Sequence, residues 1–97
     1  MKNILDVLNT GYSLLKSVNE QFWSKKIERV LNASTNSTED SIDYEQILSW
    51  FGGMGSLNDL IISSYNGHLI GVEDEERVNA ELKSFRTQLY EIARRYD

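Results

Sequence analysis

The sequence predicts an α+β fold that is mainly α, with about four helices packed antiparallel and one short β-hairpin between the third and the last helix. Apolar residues recur at helical spacing along most of the chain. Asn66-Gly67 separates two runs rich in β-forming residues, and such a pair is the strongest short-range signal of a hairpin. No linker divides the 97 residues, so we expect a single domain over residues 1–97 with the hairpin at about 59–72.

The first two helices are predicted from apolar stripes. Residues 3–18 place six residues at helical spacing, which are Ile4, Leu5, Leu8, Tyr12, Leu15 and Val18. Gly11 costs this helix about 1 kcal/mol relative to alanine, and a close crossing by another helix would account for it. Ser17 or Asn19 is expected to cap a second helix that runs to about Leu31. Its expected buried face is Phe22, Trp23, Ile27, Val30 and Leu31. The polar segment 33–40 is expected to be a loop.

The last two helices follow from the same spacing. The third is expected to begin at Ser41, to bury Tyr44, Ile47, Leu48 and Phe51, and to end at Gly52-Gly53. The last has an a/d seam formed by Val78, Leu82, Phe85, Leu89, Ile92 and Tyr96. Acidic residues at its start and arginines at its end suit the helix dipole. The seam either packs against the other helices or forms a homodimer.

Composition excludes several classes of function. The net charge is −5, and residues 41–97 hold five basic and ten acidic side chains, the opposite of the bias that nucleic-acid binding needs. No cysteine is present, which excludes disulfides and thiolate chemistry. The sequence shows no secretory signal and no apolar window that would span a bilayer. We therefore expect a cytoplasmic protein without nucleic-acid or membrane partners.

No set of residues predicts catalysis, a cofactor or a metal site. His68 is the only histidine, and on a regular hairpin it would pair with Tyr65 at the surface while Asp59 would lie roughly 20 Å along the strand. The acidic runs lack the spacing of a calcium or zinc site. Gly52-Gly53-x-Gly55 matches neither the P-loop nor the dinucleotide fingerprint, although anion binding by its backbone stays open. Asn58 and Asp59 are typical of turn-stabilising residues, and a helical turn before the strand is also possible.

Two features are candidates for partner binding. Trp50 adjoins the glycines, and a partly exposed ring there would suit an interface anchor. The alternative is that the rings of Trp50 and Phe51 both lie in the core. Glu73 to Glu76 form a run of four carboxylates, which is either a solvated helix start or an electrostatic docking patch.

The run from Leu48 to Leu60 resembles the signature of a family of small bacterial proteins. Its sequence is Leu-Ser-Trp-Phe-Gly-Gly-Met-Gly-Ser-Leu-Asn-Asp-Leu, and the family signature is two aromatic residues, Gly-Gly-Met-Gly-Ser, leucine or an aromatic residue, and Asn-Asp-Leu. The resemblance covers roughly Ile42 to Arg95. It implies a bacterial origin and a helical domain with a small hairpin, and it implies no catalytic residue.

In size and charge the chain is also similar in type to immunity proteins of contact-dependent growth inhibition and other polymorphic toxin systems. The function we expect is therefore an immunity protein, not an enzyme, that binds and neutralises a basic, nuclease-type toxin domain. The expected partner-binding residues are Trp50, Asp59, Asp74, Glu75 and Glu76. The alternative is a small homodimeric regulatory or scaffold protein, and the expected state is a monomer or a weak homodimer.

Overall fold

The computed structural model describes residues 3–33, 42–52 and 55–96. Within these ranges the chain forms four α-helices and two short 3-10 turns. The helices are α1 (Ile4–Ser17), α2 (Gln21–Ala33), α3 (Tyr44–Ser49) and α4 (Val72–Tyr96), and the 3-10 turns are Leu57–Asp59 and Ser64–Asn66. α1 packs against α2 and α4, and α4 also packs against α3. The predicted predominance of helix is therefore confirmed.

The a/d seam of α4 lies in the core of the chain itself. Val78, Leu82, Phe85, Leu89 and Ala93 are buried, together with the inward faces of α1 and α2. Ile92 is half-buried, and the exposed Tyr96 ring stacks on Tyr44 with 5.5 Å between the ring centroids. The seam therefore packs against the other helices and is not exposed for a coiled-coil contact.

The close crossing expected at Gly11 is between α1 and α4. A Cβ atom added to Gly11 would overlap the ring of Phe85, which is itself buried. The missing side chain lets the Phe85 ring lie directly on the α1 backbone. This contact explains why a residue of low helix propensity occupies the middle of α1.

The second helix differs from the prediction in its cap and in one core residue. Neither Ser17 nor Asn19 caps it, because the Glu20 carboxylate accepts the bond from the Trp23 backbone N–H at 2.8 Å. Asn19 instead lies in the left-handed region, with φ of 59°. The expectation that Phe22 is buried is wrong, since its side chain is 55% exposed and stacks on the buried Trp23.

The predicted β-hairpin at 59–72 is wrong. No strand occurs among the described residues, and this segment contains the end of one 3-10 turn, the turn Ser64–Asn66 and the start of α4. The Asn66-Gly67 signal does mark a turn, because Gly67 has φ of 85°. Gly67 terminates the 3-10 turn Ser64–Asn66, and it does not join two strands.

The flanking segments do not pair with each other because other groups take their backbone bonds. The side-chain amide of Asn79 bonds both the N–H and the C=O of Ile62, at 2.8 Å each. The Leu69 N–H donates to the C=O of Val18 at 2.9 Å. These tertiary contacts supply what a neighbouring strand would have supplied.

Three predictions fall wholly or partly outside the described residues. The loop predicted over 33–40 lies there apart from Ala33, which ends α2, and so do the predicted helix start at Ser41 and the helix-ending role of Gly53. α3 begins after Asp43, whose carboxylate caps the Gln46 N–H at 3.0 Å. None of the described helices combines the length and the apolar character that a membrane span requires.

Candidate protein-binding surface

The segment from Leu60 to Gly71, here called the display loop, exposes large apolar side chains. Tyr65 is 95% exposed, and Ile61 and Leu69 are each more than half exposed. Val72, the first residue of α4, is also mostly exposed. Single exposed apolar residues are ordinary, but three in this loop and a fourth directly after it, all within twelve positions of the chain, are typical of an interaction surface.

One side of the display loop is held by α4. The side-chain amide of Asn79 accepts from the N–H of Ile62 and donates to the C=O of Ile62. It also donates to the C=O of Glu75, and each of the three bonds is 2.8 Å long. These bonds fix Ile62, which is fully buried. Its neighbour Ile61 therefore points outward from a fixed backbone.

The other side is held by a histidine–glutamate pair. His68 is 8% exposed, and its Nε2 lies 3.2 Å from Oε1 of Glu20 at the start of α2. The Ser63 N–H donates to Nδ1 of the same ring at 3.0 Å. Nδ1 also lies 3.2 Å from the C=O of Ser63. In the neutral tautomer in which Nδ1 accepts from the Ser63 N–H, Nε2 carries the proton and donates to Glu20. The surface Tyr65–His68 pair expected from a hairpin is therefore wrong.

The tip of the display loop is stabilised locally. The Ser63 hydroxyl accepts from the Tyr65 N–H at 3.1 Å, and the Asn66 side chain donates to the C=O of Ile61 at 3.0 Å. The Ser64 hydroxyl reaches the carboxylate of Glu75 at 3.4 Å. The Tyr65 side chain thus projects from a backbone that is already ordered, which lowers the entropy cost of binding.

The start of α4 places carboxylates beside this loop. Glu73 to Glu76, here called the acidic turn, follow Val72 directly, and three of them lie in the first turn of α4. Asp74 pairs with Arg77 at 3.6 Å. Glu73 and Glu76 are exposed and form no ion pair with any residue that the structure describes. The acidic turn is both a favourable helix start and a negative edge of the display loop.

The other two predicted binding residues lie elsewhere. Trp50 is 4% exposed and packs edge-on against Trp23, with 6.1 Å between the ring centroids. The expectation of a partly exposed Trp50 is wrong, because the ring belongs to the core. Asp59 is exposed, and its carboxylate accepts the Gly55 N–H at 2.9 Å. This bond and that of Asn58 to the C=O of Phe51, at 3.3 Å, confirm the predicted turn-stabilising roles.

Sequence analysis missed the exposed apolar residues of the display loop. The predicted strands include Ile61, Leu69 and Val72, and alternate side chains of a strand would be covered. The signal that could have found two of them is that Ile61 would lie opposite Val72 on the hairpin, since an exposed hairpin face carries polar side chains. Glu20 and Asn79 gave no sequence signal, because their partners lie 48 and 17 positions away.

The arrangement around His68 is structural rather than catalytic in geometry. Ser63 contacts the imidazole through its backbone, while its hydroxyl is used by the Tyr65 N–H. The ring therefore does not lie on a nucleophile that it could activate. Among the described residues, no group of three or more His, Asp or Glu is placed to hold a metal ion.

Comparison with known proteins connects part of this surface to a family. One family model, described as a domain of unknown function (DUF6966), matches residues 16–71. The matched stretch contains α2, α3, Glu20 and the display loop. No curated protein and no solved structure matches the chain.

Proposed function

We propose that this member of the DUF6966 family binds a basic protein through the display loop and the acidic turn. The chain belongs to that family because the family model spans 56 of its 97 residues. The observation that carries the proposal is the side chain of Tyr65, 95% exposed on a loop that buried polar groups hold in place. A rigid, exposed aromatic residue is the kind of side chain that anchors protein interfaces. Leu69 and Ile61 add apolar area on the same loop.

The charge of the surface supports a basic partner. Glu73 and Glu76 carry charges that no described cation neutralises, and the whole chain has a net charge of −5. Exposed carboxylates beside an apolar patch increase the encounter rate with a positively charged protein and repel acidic ones. The apolar residues then slow dissociation.

The specific form of this proposal is an immunity protein. A small acidic domain that covers a basic toxin domain, such as a nuclease, would neutralise it by blocking its substrate site, and it would act in the cytoplasm of a bacterium. In this form the acidic turn steers the partner, and Tyr65 anchors it in place of the buried Trp50. The homodimer alternative rested on the α4 seam, and that seam is buried within the chain.

The proposal is tested by capturing the partner and then truncating the anchor. Tagged protein is used to recover binding proteins from the cells that produce it, and the dissociation constant of the recovered protein is measured by calorimetry. We expect one basic protein at one-to-one stoichiometry, whose expression alone arrests growth. Tyr65→Ala should weaken its binding by about 2 kcal/mol or more, the loss typical of a hot-spot residue.

Phe22→Ala is the matched control, because Phe22 is the exposed aromatic side chain of α2 and lies outside the display loop. It should leave the affinity for the partner nearly unchanged. An affinity equal to wild type in Tyr65→Ala, or a partner that is acidic, would overturn the proposal. A partner that binds but does not arrest growth would contradict the immunity form alone.

A further inference from the structure

A groove of about 440 Å³ lies between α4 and the segment that follows α3, and none of the residues that line it belongs to the display loop. Phe51 and Asn58 of the glycine-containing segment line it together with Lys83, Arg86, Tyr90 and Glu91 of α4. The proposed partner binding makes no use of these residues. Grooves of this volume are in the range that small ligands occupy.

The groove holds two cations that form no ion pair within the described part of the chain. Lys83 is exposed and forms no ion pair among the described residues. Arg86 donates through one nitrogen to the C=O of Leu57 at 3.3 Å and to that of Leu60 at 3.2 Å, and it pairs with no described carboxylate. These two bonds fix the guanidinium in place and leave its other donors available. In a chain of net charge −5, two such cations in one groove favour an anionic ligand.

The groove also has an aromatic wall. The rings of Phe51 and Tyr90 meet edge-on, with 5.2 Å between centroids and 68° between planes. Tyr90 is four residues beyond Arg86, about 6 Å along the axis. Glu91 lies eight residues beyond Lys83, about 12 Å along α4, and its carboxylate disfavours an anion at that end. The positive end of the groove, formed by Lys83 and Arg86, therefore lies next to the aromatic wall formed by Phe51 and Tyr90.

Asn58 completes the positive end with a polar group. Its amide nitrogen donates to the C=O of Phe51 at 3.3 Å, which orients the side chain and leaves a second amide hydrogen available. We propose that the groove binds a small aromatic oxyanion, with its phosphate or carboxylate between Lys83 and Arg86 and its ring against Phe51 and Tyr90. This assigns a ligand site that includes Phe51 and Asn58, which the proposed partner binding does not use.

Titration of the ¹⁵N-labelled chain with phenyl phosphate tests the assignment. We expect saturable shifts of the Asn58 side-chain amide and the Thr87 backbone amide, with a dissociation constant of about 1 mM or lower for a ligand of this size. Benzoate distinguishes an aromatic carboxylate from an aromatic phosphate, and inorganic phosphate and phenol supply each half alone. Either half alone should bind at least roughly tenfold more weakly than the preferred aromatic anion.

Lys83→Gln should weaken binding by roughly tenfold, the effect of removing one charged hydrogen-bond donor. Lys25→Gln, which removes an exposed lysine of α2 outside the groove, should not change it. The absence of saturable shifts with both aromatic anions would overturn the proposal, as would equal affinities for phenyl phosphate and inorganic phosphate. Equal affinities of the wild-type chain and Lys83→Gln would also overturn it. Folding of each variant is checked from its own spectrum, and Tyr90→Leu provides a second test if Lys83→Gln does not fold.

Discussion

The side-chain amide of Asn79 takes the place of a neighbouring strand for one residue of the display loop. It accepts from the Ile62 N–H and donates to the Ile62 C=O, and it also donates to the C=O of Glu75. Ile62 is fully buried, so water cannot easily replace these bonds. One side chain therefore makes two of the hydrogen bonds that join the loop to α4.

We predict that Asn79→Ala lowers the free energy of unfolding by about 1–3 kcal/mol, the cost of leaving buried backbone groups unpaired. Urea denaturation measures this loss, and hydrogen exchange at the Ile62 amide should quicken. Asn9→Ala is the control, because Asn9 is exposed and its side chain bonds the Leu5 C=O of its own helix. It should change stability by no more than about 0.5 kcal/mol. Equal effects of the two substitutions would show that Asn79 does not fasten the loop.

At the residue scale, the sequence predicts what is periodic or local. The buried residues of the α4 seam follow from their spacing, and the turn roles of Asn58 and Asp59 follow from their short side chains. Trp50 could not be placed with the same certainty, since helical spacing leaves two orientations for adjacent aromatic residues. The contact of Glu20 with His68 joins positions 48 apart, and no local pattern encodes it.

At the scale of elements, the crossing of α1 and α4 depends on one glycine. The ring of Phe85 occupies the space where a side chain at Gly11 would lie. Protein cores resist added volume because they are closely packed. Glycine lowers the helix propensity of α1 at this position, but it allows α1 and α4 to pack closely.

We predict that Gly11→Ala destabilises the protein by about 1–3 kcal/mol through overpacking, although alanine favours an isolated helix by about 1 kcal/mol. Thermal or urea unfolding gives the value. Gly52→Ala is a suitable comparison, because a Cβ atom at Gly52 meets nothing within 4 Å. It should be nearly neutral. A stabilised Gly11→Ala protein would contradict the packing described for α1 and α4.

The display loop shows why a strong local signal failed. Residues 60–62 and 69–72 have the β-forming composition of strands, and Gly67 does adopt the positive φ that the Asn-Gly pair predicts. Strand pairing, however, requires that both flanks offer their backbone groups to each other. Here the N–H of Ile62 bonds the side chain of Asn79, and the N–H of Leu69 bonds the C=O of Val18. The choice is tertiary, so the hairpin prediction failed although its turn was correct.

At the scale of the whole molecule, charge is unevenly distributed along α4. The acidic turn lies at its start, and Lys83, Arg86, Arg94 and Arg95 lie further along it. The sequence predicted the acidic excess of residues 41–97, because counting requires no fold. It could not predict that the excess would flank exposed apolar residues, since that depends on the conformation of the display loop.

The most direct test of the central claim, binding to a basic protein, is the association rate of the recovered partner measured by stopped flow at low and high salt. Glu73→Lys/Glu76→Lys reverses two carboxylates that form no described ion pair, and Glu45→Lys is the control on α3. We predict that the double variant associates roughly tenfold more slowly at low salt, with folding unchanged and with a smaller difference at high salt. Association rates equal to wild type at low salt would contradict the claim that this acidic surface recognises the partner.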